Sequence, residues 1–214
     1  MKPVVKNRIH FAVLATDVAC FRIIDNQLCV LIGRAPSSSP FAGEWALIGG
    51  MVRPEETAED SVSRLLSDKA GIKNIYTEQL HTFSGINRDP RGRVVSVAYL
   101  ALTHIDPQDI SKARLETKWY PMNSLPKLAY DHDEIMEHAI KHLRFKIHNT
   151  NVARYLLPHE FTLTELQNVY EIVIGKGMDK RNFRKKILVS GMLKSMKRTR
   201  KKGVMRPAAL YVFK

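Results

Sequence analysis

Cysteine is scarce in this sequence, and long apolar runs are absent. The two cysteines, Cys20 and Cys29, lie in apolar stretches without CxxC spacing, so two buried thiols in a reducing cytoplasm are expected. No segment approaches the roughly 18 apolar residues of a membrane span. Asp17 also interrupts the apolar run at 11–15 too early for a signal peptide. These absences predict a soluble cytoplasmic protein.

Acidic residues are sparse in the last third of the chain. Residues 151–214 hold 15 Lys and Arg against 4 Asp and Glu, whereas residues 1–150 hold 19 against 17. Nearly all of the net charge of +13 therefore lies in the last 64 residues. Such a concentration favours binding to a phosphate backbone, because each cation near a phosphate releases condensed counterions. An anionic membrane would attract the same charge, and a short basic run alone is more often a solvated face.

The first part of the chain mixes strands and helices without regular alternation. The predicted strands are a hairpin within residues 9–33 with its turn at 25–27, a short strand at 45–48, strands at 77–83 and 94–103, and one near 119–120. Apolar residues at helical spacing predict helices at 57–70, stopped by Gly71, and at 132–148. This pattern indicates an α+β sandwich.

Beyond residue 150 the pattern changes to three helical pieces and a hairpin. The first piece, 152–157, is halted by Pro158. The second opens with Thr162 and Glu165, which can form a capping box, and the third begins at Asp179, a good N-cap. A polybasic bend at 198–203 and a strand at 209–213 follow. Helices followed by a basic hairpin predict a winged helix-turn-helix.

One motif of the first part carries chemistry. Gly50, Glu56, Arg64 and Gly71 stand in the frame of the pattern G-x5-E-x7-R-E-U-x-E-E-x-G-U, where U is aliphatic. The segment therefore resembles the Nudix box, and the resemblance implies a Nudix-type α/β/α sandwich. It also implies that Glu56 and Arg64 are structural residues that fasten the loop to the following helix.

The acids that hold metal in active Nudix hydrolases are largely missing. Their positions are taken by Leu65, Asp68 and Lys69. One carboxylate beside an ammonium group does not collect Mg²⁺ as three carboxylates do. We therefore predict no catalytic residue, no metal site and little or no hydrolysis. Lys69 has two interpretations, a direct phosphate ligand that keeps affinity without catalysis or a solvated helix lysine.

Further candidates for effector binding are basic residues near loops, together with the remaining box acid. Arg53 ranks first because it lies inside the Nudix loop. Arg88 and Arg91 come next for their place in a turn between strands, and Arg34 and Asp68 complete the set with Lys69. Each arginine is more often a surface residue than a ligand contact.

A second possible ligand set lies on the helix predicted at 132–148. Glu134, His138 and His142 are spaced by four and could share a face. No further ligand motif supports a metal there, so a solvated helix face is the preferred interpretation.

The third helical piece of the second domain is the predicted recognition helix. Phe183 would face inward, while in a major groove Arg and Lys reach guanine edges and Asn pairs with adenine. The candidate helix contacts are Thr164, Lys180, Arg181, Asn182, Arg184 and Lys185. The candidate wing contacts, which would clamp phosphates, are Lys197, Arg198, Arg200, Lys201, Lys202 and Arg206.

Taken together, the degenerate box, the turn 88–93 with the strand after it, and the stretch 179–186 resemble the Nudix-related transcriptional regulators of bacterial NAD metabolism. The resemblance covers nearly the whole chain and implies a Nudix-like effector-binding domain at 1–149 and a DNA-binding winged helix at 150–214. It implies a cytoplasmic, nucleoid-associated homodimer that represses NAD biosynthesis or salvage genes. A NAD-derived nucleotide, typically ADP-ribose, would release it from a palindromic double-stranded operator, and no other cofactor would be required.

Other functions stay open at this point. Relatives of similar architecture control sugar catabolism or respond to ATP. An active Nudix hydrolase of ADP-ribose or an RNA cap, with an accessory basic domain, would need acids such as Glu55, Glu59 or Asp60 to rebuild the metal site. A non-enzymatic RNA-binding or ribosome-associated module would explain the charge but not the Nudix frame. The operator sequence and the sign of regulation are also open.

Overall fold

The sheet of the first domain begins with an apolar hairpin. The computed structural model describes residues 11–104, 116–201 and 207–214. Strands β1 (Val13–Ile24) and β2 (Gln27–Arg34) are joined by Asp25 and Asn26, whose φ angles are 47° and 59°. Positive φ at both central residues is typical of the tight turns that match strand twist, and Asp and Asn tolerate it. The predicted hairpin is confirmed, with a turn of two residues.

Six strands form one mixed sheet around β1. The other four are β3 (Trp45–Met51), β4 (Tyr76–Phe83), β5 (Val94–Leu102) and β6 (Thr117–Pro121), in the order β4-β5-β1-β3-β2-β6. β1 is parallel to β5 and antiparallel to β2 and β3. β3 continues past its predicted end, because Gly49 and Gly50 pair with Asp17 and Thr16.

Helices cover both faces of this sheet, which confirms the predicted α/β/α sandwich. Helix α1 (Ala58–Ala70) packs on one face, where Val18 and Cys20 point, and ends at Gly71 with φ 69°. Helix α2 (His132–Asn149) packs on the other, where Ala19 and Phe21 point. The central strand is thus apolar toward both sides, as expected for a strand between two helical layers.

The second domain is a small winged helix. A short 3-10 helix, Val152–Leu156, stands where the first helical piece was predicted. The remaining elements are β7 (Phe161–Thr162), α3 (Leu163–Ile174), α4 (Lys180–Val189), β8 (Leu193–Arg200) and β9 (Ala208–Phe213), with a sheet order of β7-β9-β8.

Local capping explains where the winged-helix elements begin. Thr162 and Glu165 form the predicted capping box at the start of α3, and the Asp179 side chain accepts from the backbone of Asn182 at the start of α4. The predicted bend at 198–203 is corrected in part, because residues 198–200 belong to β8. Thr199 and Arg200 pair with β9, although their polar side chains give no apolar alternation.

The hydrophobic core continues from one domain into the other. Leu143 and Ile147 of α2 belong to the same buried cluster as Val152, Leu166 and Ile187 of the winged helix. α2 ends at Asn149, but apolar packing does not end there. The division at residues 149 and 150 stays a prediction.

Polar contacts cross the same junction. Asn168 of α3 donates to Asn26 in the β1–β2 turn at 2.7 Å, and Arg144 of α2 donates to the carbonyl of Val173 at 3.1 Å. The rings of Tyr76 and Tyr155 stack at 4.1 Å between centroids. A movement of α2 or of the β1–β2 turn can therefore be transmitted to α3 through direct contacts.

Candidate functional site

A buried carboxylate lies at the floor of a cleft in the Nudix domain. Asp17, in the middle of β1, accepts from Ser96 at 2.6 Å and from Arg88 at 3.1 Å, and its other oxygen lies 3.3 Å from His132 Nε2. Burial by itself raises the pKa of Asp17, but His132, Ser96 and Arg88 outweigh it and the pKa is lowered. The side chain is therefore a fixed negative charge at neutral pH.

Two glycines allow β3 to pass close to this carboxylate and to α1. A Cβ on Gly49 would stand 1.9 Å from Asp17 Oδ1, and one on Gly50 would stand 2.9 Å from a methyl group of Leu65. A Cβ on Gly49 would also meet the backbone oxygen of Thr16 at 2.9 Å, and this position therefore requires glycine, whereas a side chain at position 50 would force Leu65 to move. Close backbone approach thus gives a physical reason for Gly50 at the start of the Nudix box.

The start of α2 is tied to the same floor. Arg88 donates to both oxygens of Asp131 at 2.8 and 2.7 Å. His132 Nδ1 accepts from the backbone N–H of Leu47 at 3.0 Å, which leaves its Nε2 to donate to Asp17. Buried Asp17, Arg88 and His132 together with half-buried Asp131, hereafter the floor network, connect the central strand to the N-terminus of α2.

An unusual tyrosine lies beside the floor network. Tyr130 has φ 58°, a conformation that is uncommon for a bulky residue and that clusters at functional sites. Its hydroxyl and that of Ser39 are 2.8 Å apart, and its ring packs edge-on against Phe41 at 4.5 Å between centroids. Two loops therefore hold one aromatic wall of the cleft.

The cleft brings together four of the six predicted effector-binding residues. Arg34, Lys69, Arg88 and Arg91 line it together with Asp17, Gly49, Gly50, Tyr130 and His132. Among the described residues of this lining, Arg53 and Asp68 are missing. Arg53 is the first-ranked effector-binding candidate in the sequence analysis. Its backbone N–H donates to the Glu56 side chain at 2.8 Å.

Three of the four cleft cations are paired with carboxylates. Arg88 is held by Asp17 and Asp131. Arg91 pairs with Asp89 at 2.7 Å, and Arg34 lies 3.7 Å from Glu116 and 3.8 Å from the ring centre of Trp45. Their charges are thus partly compensated within the protein.

Lys69 differs from the three arginines. Its Nζ donates to the carbonyl of Gly49, and it makes no ion pair within the described ranges of the chain. Burial lowers the pKa of the half-buried amine, against the attraction of Asp17.

The Nudix loop is fastened as its motif predicts. Arg64 donates to both oxygens of Glu56, at 2.8 and 2.5 Å, and to the carbonyl of Met51 at 3.2 Å. The hydrogen bonds of Arg64 lower the pKa of Glu56 to about 2. The expected pair is present, and both side chains fix the loop rather than face the cleft.

Two of the three acids that could rebuild a metal site are engaged elsewhere, and the third, Glu55, is exposed. Glu59 accepts from Tyr99 at 2.7 Å, and Asp60 forms the capping box of α1 with Thr57. In the described residues, no group of three or more His, Cys, Asp and Glu side chains could hold a metal ion. On α2, His142 instead contacts Glu78 at 3.0 Å, and His138 stacks on His81.

Helix α4 buries apolar side chains on one side and exposes cations on the other. Phe183 and Ile187 are buried, while Lys180, Arg181 and Lys185 are exposed. These three form no ion pair inside residues 11–104, 116–201 and 207–214. Their charge remains available to an external partner.

Two of the other predicted helix contacts, Arg184 and Thr164, are hydrogen-bonded to each other. Arg184 donates to Thr164 of α3 at 3.2 Å. Asn182 lies on another flank of α4, where it lines a cavity with His148 and Tyr170. Arg184 therefore joins α4 to the N-terminus of α3.

Two of the predicted wing contacts form ion pairs within the described part of the chain. Arg198 pairs with Glu160, and Arg200 lies 3.1 Å from Glu165. Lys197 and Lys201 are exposed. Lys202 and Arg206 lie outside the described residues. The Arg200 contact brings β8 beside the N-terminus of α3, which also carries Thr164.

The fold and these two sites define the class of a regulator that couples a Nudix-type cleft to a winged helix. The Nudix domain family matches residues 13–143, and the NrtR DNA-binding winged helix domain matches residues 153–213. Both matches agree with the domain order that the sequence predicts. No helix of the described chain has the length and apolar composition needed to cross a membrane.

Similarity to individual proteins extends over almost the whole chain. The chain is 34% identical to the ADPR responsive transcriptional repressor NtrR of Acinetobacter baylyi over 206 residues. The matched region covers 94% of this chain and 81% of that protein. The chain therefore belongs to the NrtR family of Nudix-related transcriptional regulators, and the predicted class of ligand-responsive DNA-binding regulator is confirmed.

Solved structures support this assignment. Shewanella oneidensis NrtR complexed with a 27mer DNA is 33% identical, with a TM-score of 0.79, over 94% of this chain and 93% of that one. The Nudix domain of the same protein complexed with ADP ribose is 35% identical, with a TM-score of 0.57, over 63% of this chain and 90% of that one.

A hydrolase is also related to the first domain. An ADP-ribose pyrophosphatase of Methanocaldococcus jannaschii is 34% identical over 113 residues, 53% of this chain and 65% of that protein. The Nudix frame alone is thus shared by a regulator and an enzyme. The residues inside the cleft have to distinguish the two functions.

Proposed function

We propose that this protein is a homodimeric repressor that binds a palindromic DNA operator and leaves it when ADP-ribose enters the Nudix cleft. The observation that carries the proposal is a set of exposed cations on α4, Lys180, Arg181 and Lys185, which form no ion pair among the described residues. Buried Phe183 and Ile187 hold this helix in place. Such side chains reach guanine edges and phosphates in a major groove. The DNA-bound relative supports the same use of the winged helix.

The cleft is the proposed effector site. It combines Lys69, Arg34 and Arg91 with the aromatic wall of Tyr130, which suits a ligand with a diphosphate and a flat base. The complex of the related Nudix domain with ADP ribose supports this assignment. No other cofactor is required in this proposal.

Hydrolysis of ADP-ribose is proposed to be negligible. Leu65 is buried in the core and Lys69 brings positive charge to the cleft, whereas metal-assisted hydrolysis needs carboxylates around a divalent ion. Incubation of the full chain with ADP-ribose and Mg²⁺ or Mn²⁺, followed by separation of the products, tests this. AMP release at a rate comparable to that of a Nudix pyrophosphatase would contradict it.

A second copy of the chain has a candidate docking face at the start of β1. Phe11, Val13 and Leu14 are apolar and exposed by 86%, 50% and 41%. A twofold dimer would present two α4 helices, as a palindrome requires. Light scattering should give twice the chain mass.

Control of NAD biosynthesis or salvage genes and a cytoplasmic, nucleoid-associated location stay predictions from the family resemblance.

Operator binding tests the main proposal. Duplexes selected from a random library by the full chain should share a palindromic sequence, and ADP-ribose should weaken their binding in fluorescence anisotropy. A scrambled duplex and a structured RNA of equal length serve as controls. Equal affinity for the RNA, or no sequence preference at any salt concentration, would contradict a DNA-binding repressor.

A further inference from the structure

One cation of the cleft forms no ion pair among the described residues, although Asp17 attracts it from a longer distance. Arg34, Arg88 and Arg91 each have a carboxylate within ion-pair distance. For Lys69 the partner found among the described residues is the neutral carbonyl of Gly49. The charge of Lys69 is therefore the one in this set that an anion would neutralise without first breaking an ion pair.

The position of Lys69 is that of a missing acid. It occupies the last carboxylate position of the Nudix box, on α1, and its Nζ lies 3.8 Å from the point where a Cβ on Gly50 would stand. The first acid position is filled by buried Leu65, and Asp68 is not among the described residues of the cleft lining. The amine thus faces the cleft without a carboxylate of the box beside it.

Physical chemistry favours an anion next to this amine. A half-buried ammonium group has lost part of its hydration, which lowers its pKa. A phosphate oxygen replaces the lost water with a charge-assisted hydrogen bond, and the interaction is stronger in the cleft than in bulk water. The Gly49 carbonyl uses one of the three N–H groups, so two remain for a ligand.

We propose that the ammonium group of Lys69 takes the place of a divalent cation and binds the diphosphate of the effector directly. Effector binding then needs no metal. The inference rests on the proposed function, since it assumes that the cleft is the effector site. It goes beyond that function by assigning the ligand's recognised group, the residue that binds it and its metal independence.

Calorimetry of the full chain with ADP-ribose, in EDTA and in Mg²⁺, tests the inference. Wild-type affinity should be the same in both buffers. Lys69→Gln should weaken binding by about 10- to 100-fold, the range of a lost charge-assisted hydrogen bond. Lys69→Glu should weaken it further in EDTA and recover part of the loss in Mg²⁺, because a carboxylate can again hold the ion.

Two controls separate ligand binding from structure. Lys73→Gln removes an exposed lysine just beyond α1 and should leave the affinity unchanged. Thermal unfolding of Lys69→Gln should occur at the wild-type temperature or above, because a half-buried charge is removed. As pH rises, wild-type affinity should fall when the amine loses its proton, whereas Lys69→Arg, which stays protonated, should show no such fall.

The outcomes distinguish the inference from the proposed function. Unchanged affinity in Lys69→Gln, or wild-type binding that requires Mg²⁺, overturns the inference even when ADP-ribose binds. Inorganic pyrophosphate and ADP are titrated as well. If either binds in EDTA and depends on Lys69 while ADP-ribose does not bind, the inference stands and the effector assignment fails. If none of the three binds, both are overturned.

Discussion

The two domains use charge in opposite ways. In the Nudix domain, acids and bases nearly balance, and Asp17, Arg88, Asp131 and His132 of the floor network are partners of one another. In the winged helix, bases outnumber acids 15 to 4, and Lys180, Arg181 and Lys185 of α4 form no ion pair among the described residues. Paired charges fix the shape of a cleft, whereas unpaired charges remain available to an external phosphate.

This comparison predicts that a lost charge affects stability in one domain and DNA affinity in the other. The largest effect should come from Asp17→Asn, which leaves buried Arg88 with one carboxylate in place of two. Removing one partner of a buried ion pair costs about 3 to 5 kcal/mol. Urea unfolding at neutral pH measures this loss. The control Glu137→Gln breaks an exposed helical pair and should cost less than about 0.5 kcal/mol. Equal stability of the two variants would contradict the structural role of Asp17.

The next effect belongs to the recognition helix. Arg181→Ala combined with Lys185→Ala should weaken operator binding by at least about 30-fold, because each base or phosphate contact contributes about 1 kcal/mol or more. Stability should stay near that of the wild type, since neither side chain has an ion-pair partner in the described structure. Anisotropy and urea unfolding measure the two quantities. Lys73→Ala with Lys141→Ala removes the same charge from the Nudix domain. A similar loss of DNA affinity in that control would show that total charge, not α4, governs binding.

Acid should destabilise the contact between β4 and the last turns of α2, which lies beside the junction of the domains. Glu78 contacts Lys146, Tyr76 and His142, and these hydrogen bonds outweigh the effect of burial and lower its pKa from 4.5 to about 2. A lowered pKa in the folded state gives stability that is present above pH 4.5 and is lost as the pH falls toward 2. Glu78→Gln should cost about 2 kcal/mol at neutral pH and should flatten the dependence on pH in this window. An unchanged slope in urea unfolding at acid pH would assign the titration to other carboxylates.

The sequence predicts those parts of the fold that depend on local physics. The capping box at Thr162, the N-cap at Asp179 and the stop at Gly71 each involve residues within a few positions, and all three are found. The Nudix frame likewise anticipates the Glu56–Arg64 pair, eight positions apart. Strand β8 was recognised less well, because its polar residues leave no apolar alternation.

The floor of the cleft was not predicted, because its contacts are distant in sequence. Arg88 and Asp17 are 71 positions apart, and Asp131 and His132 reach the cleft through the packing of α2 on the sheet. One signal was present: Asp17 is a lone acid in an otherwise apolar strand, and such an acid needs a partner when buried. The sequence does not show that Arg53 stays outside the cleft lining, because a place in the Nudix loop says nothing about the direction of a side chain.

The smallest expected effect concerns the wing, where Arg198 has an ion-pair partner and Lys201 has none among the described residues. Lys201→Ala should lower the slope of log affinity against log salt by about 1, the value for one phosphate contact. Arg198→Ala should lower it less, because Glu160 already neutralises part of the Arg198 charge. Salt titrations of operator binding provide the comparison. A larger change for Arg198 than for Lys201 would mean that DNA displaces Glu160 from its arginine.

The central claim is that a ligand bound by Lys69 in one domain controls DNA binding by the exposed cations of α4 in the other domain, through a continuous core. The most direct test is the release of labelled operator from the full chain on addition of ADP-ribose in EDTA. We predict release from the wild type, and a shift to at least about 10-fold higher ADP-ribose concentration for Lys69→Gln. Release that requires Mg²⁺, or DNA that stays bound while calorimetry records ADP-ribose binding, would contradict the account.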